Sequence, residues 1–405
     1  MLWLLLLTPL LGIVGVFQFL ITLKARLILG FTPIVWGFAY GLEYIVEALS
    51  SAIIGSRVVR LDTARRILLV LIVLCAIGFH ILSLIDDKLL FILIYYLVGF
   101  SIASALPCII VLCMESWVDY SKWINPIAYI GILMGVSGLS VLMASSRLGF
   151  YFPNKILPLL ALATLPLLVA YLPRGWDITR RLFVIDRRLS RVHSLVEIYD
   201  YLTMTALYWR LGYRVSPIVS SSQLKSIIGN LRYERGHKAL IGIMLFMAGL
   251  DMMLVQLPPI LCENLTLNTT LLVLSGFHAG LILSRLIGLK SNCRTKLSLV
   301  SSFIASLFTI TLAHNLSQAG ILILFLYLLT YGFILGLNDL LYLYKYIISD
   351  PLGNPGLYTT ARIVGCIIGD FSSGFILLNL GFTGLAMISA LLIVLSSLVV
   401  ALVRL

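Results

Sequence analysis

Twelve long apolar runs divide this sequence, and a polar interval separates the first six runs from the last six. A helix needs roughly 20 apolar residues to cross the hydrocarbon core of a bilayer. Each run therefore predicts one membrane-spanning helix. The predicted spans lie near 2 to 23, 31 to 54, 67 to 85, 89 to 113, 126 to 146, 155 to 173, 239 to 260, 270 to 288, 297 to 314, 319 to 344, 356 to 378 and 382 to 403.

Composition supports a membrane protein, since 60% of the residues are hydrophobic and 11% are charged. Soluble proteins average about 45–50% apolar and about 25% charged residues. The first run lacks a basic segment and a small-residue cleavage pattern before Lys24, so it is predicted to be a span and not a signal peptide. We predict an all-α polytopic membrane protein of 12 transmembrane helices. It comprises a six-helix bundle at 1–173, a cytoplasmic amphipathic linker at 174–238 and a second six-helix bundle at 239–405.

Basic residues predict the orientation, because Lys and Arg favour cytoplasmic loops. Most of the 29 lysines and arginines fall on one side if the N-terminus is cytoplasmic, and the linker alone has twelve of them against five acidic residues. Both termini are then cytoplasmic, in a multi-pass protein of the plasma membrane. The net charge of +12 is explained by topology and anionic lipid headgroups, so no nucleic-acid partner is predicted.

Apolar residues recur at helical spacing in the linker. They predict a basic amphipathic helix over 182–199 that lies along the cytoplasmic leaflet or under the bundle, and a second helix at about 221 to 235.

A short basic passage occurs twice, as SRVVRLDTARR at 56–66 and SRLIGLKSNCR at 284–294. A second pair, Asn-Pro-x-x-Tyr, begins at Asn125 and again at Asn354. The two offsets differ by one residue, which predicts an internal duplication of a six-helix unit. Because six is even, the two units have the same orientation and are related by an axis along the membrane normal.

The passage at 56–66 resembles the motif Gly-x-x-x-Asp-Arg-x-Gly-Arg-Arg, which lies between spans 2 and 3 in the major facilitator superfamily. The matching residues are Asp62, Arg65 and Arg66, although Gly55 is too far from Asp62 and Arg65 replaces the second glycine. The glycine-rich fifth span is also similar, but it lacks the family's Gly-Pro element, and span 4 lacks its Arg-x-x-Gln-Gly. The resemblance implies a two-domain secondary transporter that works by alternating access around a midplane site.

The doubled passage is a candidate cytoplasmic gate. Its arginines can pair with Asp62, with helix C-termini or with acidic residues of neighbouring helices in one conformation and separate in another. The alternative is that they only anchor the topology. The candidate gate residues are Asp62, Arg65, Arg66, Arg285 and Arg294.

Carboxylates within the spans are the main candidates for transport chemistry, because a charge there is costly. Glu43 and Glu47 share a helix face, and two close carboxylates in a low-dielectric setting favour a proton carrier. The alternative is a structural pair or a hydrated vestibule. Asp251 lies at mid-depth in span 7, where it binds a proton, a cation or a polar solute, or caps a helix break near Gly249. Pro258 and the proline after it are predicted to end this span.

Span 11 contains Arg362 and Asp370, which are eight residues and so about 12 Å apart along the helix. They are too far apart to pair, and Asp339 of span 10 is the predicted partner of Arg362. Arg362 either binds an anionic substrate or belongs to a structural ion pair.

Three further kinds of polar residue lie within spans. His278 is a candidate proton relay or a hydrogen-bonded structural residue, and Gly276 with Gly280 predicts close helix packing around it. Gln18 is a candidate polar contact in the cavity. Tyrosines of spans 2 and 4 are either cavity contacts or interface aromatics: Tyr40, Tyr95 and Tyr96.

We therefore predict a monomeric, proton-coupled transporter of a small solute, with membrane lipids as its surroundings. No enzyme activity, cofactor or metal is predicted, since the six cysteines form no CxxC pair and no ligand spacing with histidine. Two alternatives remain: a membrane-embedded enzyme that acts on a lipid-linked substrate, and a non-transporting sensor or scaffold of the same fold.

Overall fold

The structure is a computed structural model that describes residues 2–57, 61–116, 124–173, 222–288, 294–349 and 355–401. Every regular element in these ranges is helical. In chain order the helices are α1 (Leu2–Leu6 and Thr8–Leu23), α2 (Pro33–Arg57), α3 (Leu61–Leu84), α4 (Lys88–Ser116), α5 (Ile124–Leu148), α6 (Phe152–Tyr171), α7 (Ser222–Asn264), α8 (Leu267–Gly288), α9 (Arg294–Asn315), α10 (Ile321–Ser349), α11 (355–380) and α12 (382–401).

The last two helices meet at Gly381 without a loop. The helical stretch Pro355–Ala401 is interrupted there, because Gly381 has φ 66° and ψ −174°. Glycine adopts this backbone conformation without the steric cost that a side chain would add. The twelve predicted spans thus correspond to twelve helices.

Nine stretches of the described residues are long and apolar enough to cross a membrane. Three features account for the difference between these nine stretches and the twelve helices. One stretch, Thr360–Val399, includes both α11 and α12, and the apolar part of α9 is shorter, at Leu297–Thr311. The third feature is that α2, although long enough, contains Glu43 and Glu47 and is not among the nine apolar stretches.

The helix predicted at about 221 to 235 is confirmed, and it continues into the seventh span, because α7 runs from Ser222 to Asn264. The prediction that two prolines end this span is wrong. Pro258 and Pro259 lie inside α7 and do not end it. A proline removes one backbone hydrogen bond but has a helical φ, and both prolines are buried against neighbouring helices that support the turn. The amphipathic helix predicted at 182–199 lies outside the described residues.

The packing of the helices repeats with the predicted duplication. In the first half α3 packs on α4 and α6, and α2 packs on α4. In the second half α9 packs on α10 and α12, and α8 packs on α10. Between the halves α2 packs on α11, and α5 packs on α8. Each helix of the first half is equivalent to the helix six places later in the second half, so α2 corresponds to α8 and α5 corresponds to α11. The contact of α2 with α11 is therefore equivalent to that of α8 with α5, and two equivalent six-helix bundles face each other.

Successive helices cross the bundle in opposite directions, which defines two ends. We call the end with the α2–α3 and α8–α9 connections the linker side, because α7 also begins there. The opposite end, where α2 begins and α11 ends, is the far side.

The two bundles have different cores. Aromatic rings fill the first, where Trp36 lies 5.4 Å from Tyr95 and 5.9 Å from Tyr40 between ring centroids. Tyr95 and Tyr40 are therefore packing residues of this bundle. Hydroxyl and amide groups join the helices of the second, as in the 3.1 Å hydrogen bond from Thr309 to Tyr331. Such contacts stabilise the packing of helices in a membrane.

Candidate functional site

Three carboxyl groups lie well inside helices that meet between the two halves. Glu43 is on α2, Asp251 on α7 and Asp370 on α11, and their residues are 1%, 4% and 0% exposed. Asp370 and Asp251 both act electrostatically on Glu43, and Asp251 acts on Asp370. We call these three residues the acidic cluster. The structure therefore brings together three of the predicted site residues from both halves.

The acidic cluster has few polar partners. Both carboxyl oxygens of Glu43, both of Asp370 and Oδ2 of Asp251 accept no hydrogen bond from the described residues. A buried ionised carboxylate without partners is strongly unfavourable, so proteins pair such a group or keep it neutral. The conformation seen here is thus compatible with neutral carboxyl groups at these positions.

Glu47 lies one turn from Glu43 toward the linker side and is partly exposed. It interacts electrostatically with Arg362, whose side chain is 43% exposed. An exposed guanidinium in a spanning helix requires water or polar groups around it. The polar residues therefore run from the buried acidic cluster toward a more accessible region on the linker side.

Asp339 of α10 is the centre of an ion-pair network on that side. Arg285 of α8 lies 3.3 Å from Asp339 Oδ2, and Nε of Arg362 lies 4.0 Å from Oδ1. The hydroxyl of Tyr358 donates to the Asp339 backbone carbonyl at 2.9 Å. The predicted pairing of Arg362 with Asp339 is confirmed.

Tyr44 connects the acidic cluster to α1. The amide of Gln18 donates to the Tyr44 hydroxyl at 3.2 Å. Tyr44 and Cys366 both adjoin the Asp251 carboxyl group. Gln18 was a predicted site residue, whereas Tyr44 and Cys366 were not, although Tyr44 directly follows Glu43 in the sequence.

Gln256 has a structural position on the far side. Its amide donates to Ser373 Oγ at 2.9 Å and to the Pro33 carbonyl at 3.4 Å. It therefore links α7, α11 and the start of α2, and it is not part of the acidic cluster.

On the far side, α2 and α11 are in close contact along a line of glycines. A Cβ atom at Gly37 would meet the backbone carbonyl of Asp370, and one at Gly374 would meet Pro33 and its neighbour. The rings of Phe38 and Phe371 stack with centroids 4.7 Å apart. We call this contact the far-side seam, and it closes the space between the halves next to Asp370.

His278 lies in the α5–α8 contact, apart from the acidic cluster. It is 1% exposed, and its ring fits against Gly138 so closely that a Cβ there would overlap it. The Phe19 ring packs edge-to-face on it at 5.9 Å, and neither ring nitrogen has a hydrogen bond with the described residues. On the opposite face, Gly276 and Gly280 contact the α10 backbone, which confirms the predicted close packing.

The doubled basic passage is only partly within the described residues. Arg65 donates to the Val169 carbonyl in the last turn of α6, which matches the predicted pairing with a helix C-terminus. Arg285 pairs with Asp339, an acidic residue of a neighbouring helix, also as predicted. Asp62 and Arg66 are exposed, and the Arg294 side chain lies outside the described part.

Among the described residues, no group of three or more His, Cys, Asp and Glu side chains could hold a metal ion.

Two parallel six-helix halves around a buried polar cluster define a membrane protein with the major facilitator fold. Its solved neighbours include a crystal structure of a mutant of the nucleoside transporter NupG, with a TM-score of 0.68, 15% identity, and coverage of 100% of this chain and 99% of that one. A second NupG crystal structure has a TM-score of 0.66 and 13% identity, with coverage of 99% of this chain and 98% of that one. No protein-family model matches the chain, and neither does any curated protein. At this identity the likeness shows the fold.

Proposed function

We propose that the protein is a secondary transporter that moves a small polar solute by alternating access, coupled to protons. The observation that carries the proposal is the acidic cluster, in which Glu43, Asp251 and Asp370 from both halves lie buried together with five oxygens that accept no hydrogen bond from the described residues. Ionisable residues in a membrane interior usually serve transport or proton transfer. They lie between two parallel repeats, and transporters built from such repeats bind their solute there.

Glu43 and Asp251 are the proposed proton-binding residues of the acidic cluster. A proton on either residue removes the repulsion between neighbouring carboxylates, and its release restores that repulsion. Glu47 is proposed to pass protons between this pair and the hydrated linker side. Gln18 is proposed to orient Tyr44 toward Asp251.

The solute is proposed to be uncharged and rich in hydrogen-bonding groups. Around the approach to the acidic cluster lie the acceptors of Glu47, the donors of Arg362 and the hydroxyl of Tyr44. Arg362 already has Asp339 as its counter-ion, which argues against a site built for a free anion. Nucleosides have this chemistry, and the fold shared with the nucleoside transporter NupG makes them the first solutes to test.

The linker-side residues are proposed to form the gate. The Arg65 contact with α6 holds helices of the first half together, and the Arg285–Asp339 pair holds helices of the second half together. Asp62, Arg66 and Arg294 are proposed to belong to the same gate, because they lie in the doubled passage. We also propose that this side is cytoplasmic and that the protein functions as a monomer in the plasma membrane, with the basic loops as support for the orientation.

Uptake by purified protein in liposomes tests the transport proposal. We expect wild-type protein to accumulate a labelled nucleoside when a pH gradient is imposed, and Glu43→Gln and Asp251→Asn to lose this accumulation. Glu263→Gln is the matched control, because Glu263 is an exposed carboxylate at the end of α7. Wild-type uptake in both cluster variants would remove these residues from the mechanism. If the protein neither transports a nucleoside nor binds one in a thermal-shift assay, the result would favour a non-transporting sensor or scaffold.

A further inference from the structure

Asp370 differs from the other acidic residues because it lies against the far-side seam. Its residue is 0% exposed, and neither of its carboxyl oxygens has a hydrogen bond from the described residues. The backbone carbonyl of Asp370 accepts the Ser373 hydroxyl at 2.7 Å, so its turn of α11 is well supported. Gly37 and Gly41 of α2 lie directly on this turn.

The groups that face Asp370 are neutral or acidic. From α2 these are Tyr40, Glu43 and Tyr44, from α4 the group is Tyr95, and from α7 it is Asp251. On its own helix Cys366 lies one turn away. Among the described residues, no cation contributes to the electrostatic environment of Asp370.

The glycines make this environment dry. With no side chain at Gly37 or Gly41, α2 approaches α11 closely enough to cover the Asp370 carboxyl group. Gln256 reinforces the closure, because it bridges Ser373 of α11 and Pro33 of α2. An ionised Asp370 would be an unpaired charge next to other acidic groups, without water.

We propose that Asp370 is a proton-binding residue that controls the far-side seam. The seam closes over the neutral carboxyl group, and opening of α2 from α11 admits water and allows the proton to leave. The inference rests on the proposed function, because it gives one coupled proton a place in the transport cycle. The closed state then holds one proton more than the open state. By linkage, the ratio of closed to open protein rises about tenfold for each unit that the pH falls, where the open-state carboxyl is ionised.

Distance measurements between spin labels test this inference without any solute. The full-length protein would carry Thr32→Cys at the start of α2 and Asn379→Cys at the end of α11, two exposed positions that flank the seam. The background would lack other reactive cysteines. We expect the short distance to dominate at low pH and a longer distance to gain population as the pH rises. Asp370→Asn should keep the short distance at every pH, and the control Asp86→Asn, whose side chain is 87% exposed, should behave like wild type.

A second measurement protects the test against a variant that does not fold. In wild-type protein, a carbodiimide should modify Asp370 increasingly under conditions that open the seam, as detected by mass spectrometry. A pH-independent distance in wild type, or an unchanged pH dependence in folded Asp370→Asn, would overturn the inference. These outcomes are separate from failure of the transport proposal, because nucleoside flux does not enter the distance measurement.

Discussion

Arg285 of α8 and Asp339 of α10 form an ion pair of 3.3 Å, and Arg362 approaches the same carboxylate from α11 at 4.0 Å. One acidic residue thus holds together three helices of the second half near the linker side. The Arg285 and Asp339 side chains are 11% and 20% exposed, so solvent screens the pair only weakly.

Asp339→Asn should therefore destabilise the protein. Removing one partner from a largely buried ion pair leaves the other charge without compensation, at a cost of about 3 kcal/mol. Thermal unfolding in detergent measures the loss. The double variant with Arg285→Gln should lose less than the sum of the single variants, because the orphaned charge is gone. An Asp339→Asn protein as stable as Asp86→Asn would contradict the structural role of the pair.

Lys24→Met should also destabilise the protein, although Lys24 lies near a membrane surface. Its ammonium group is buried and donates to the carbonyls of Leu82 and Ser83 at 2.8 and 2.9 Å, at the end of α3. Without it these carbonyls at the helix C-terminus lose their partner, which costs about 1–3 kcal/mol. Lys155→Met is the control, since Lys155 is exposed. Equal melting temperatures for the two variants would show that Lys24 does not cap α3.

Gly280→Ala should disturb the packing of α8 on α10. A Cβ there would meet the Leu329 carbonyl and the Phe333 amide nitrogen, whereas a Cβ at Gly320 would meet nothing within 4 Å. Overpacking of this kind costs about 1–3 kcal/mol. We expect Gly280→Ala to lower the melting temperature and Gly320→Ala to leave it nearly unchanged. Similar melting temperatures would contradict the close helix contact.

His278→Phe should leave the pH dependence of uptake unchanged. The ring of His278 lies in an apolar slot between Gly138 and Phe19, and no charged side chain of the described residues acts on it. A phenylalanine keeps the edge-to-face contact and removes the ionisable group. Nucleoside uptake measured between acidic and neutral pH provides the test. A flat pH profile in this variant would restore His278 as a proton relay.

The number and position of the spans were predictable because run length and hydropathy reflect the bilayer directly. The connection of α11 to α12 shows the limit of that method, since a single glycine replaced the expected loop. The start of α7 shows another. Helical periodicity in the linker predicted a helix near 221 to 235, but periodicity does not indicate whether two helical segments are continuous.

Candidate site residues were predictable where a charge interrupts an apolar run, as at Glu43, Asp251 and Asp370. The pairing of Arg362 with Asp339 followed from their similar depth. The direction in which each helix faces did not follow, because it depends on packing between the halves. For that reason the far-side seam was not predicted, although the spacing of Gly37 and Gly41 is typical of a close helix contact.

The abrupt junction at Gly381 limits which insertions the second half can accept. With only one non-helical residue between α11 and α12, an epitope inserted there would force the two helices apart. Insertions and tags are better tolerated at other connections. Rotation of α11 must also carry α12 with it, so the lipids that border α12 would be displaced each time the far-side seam opens.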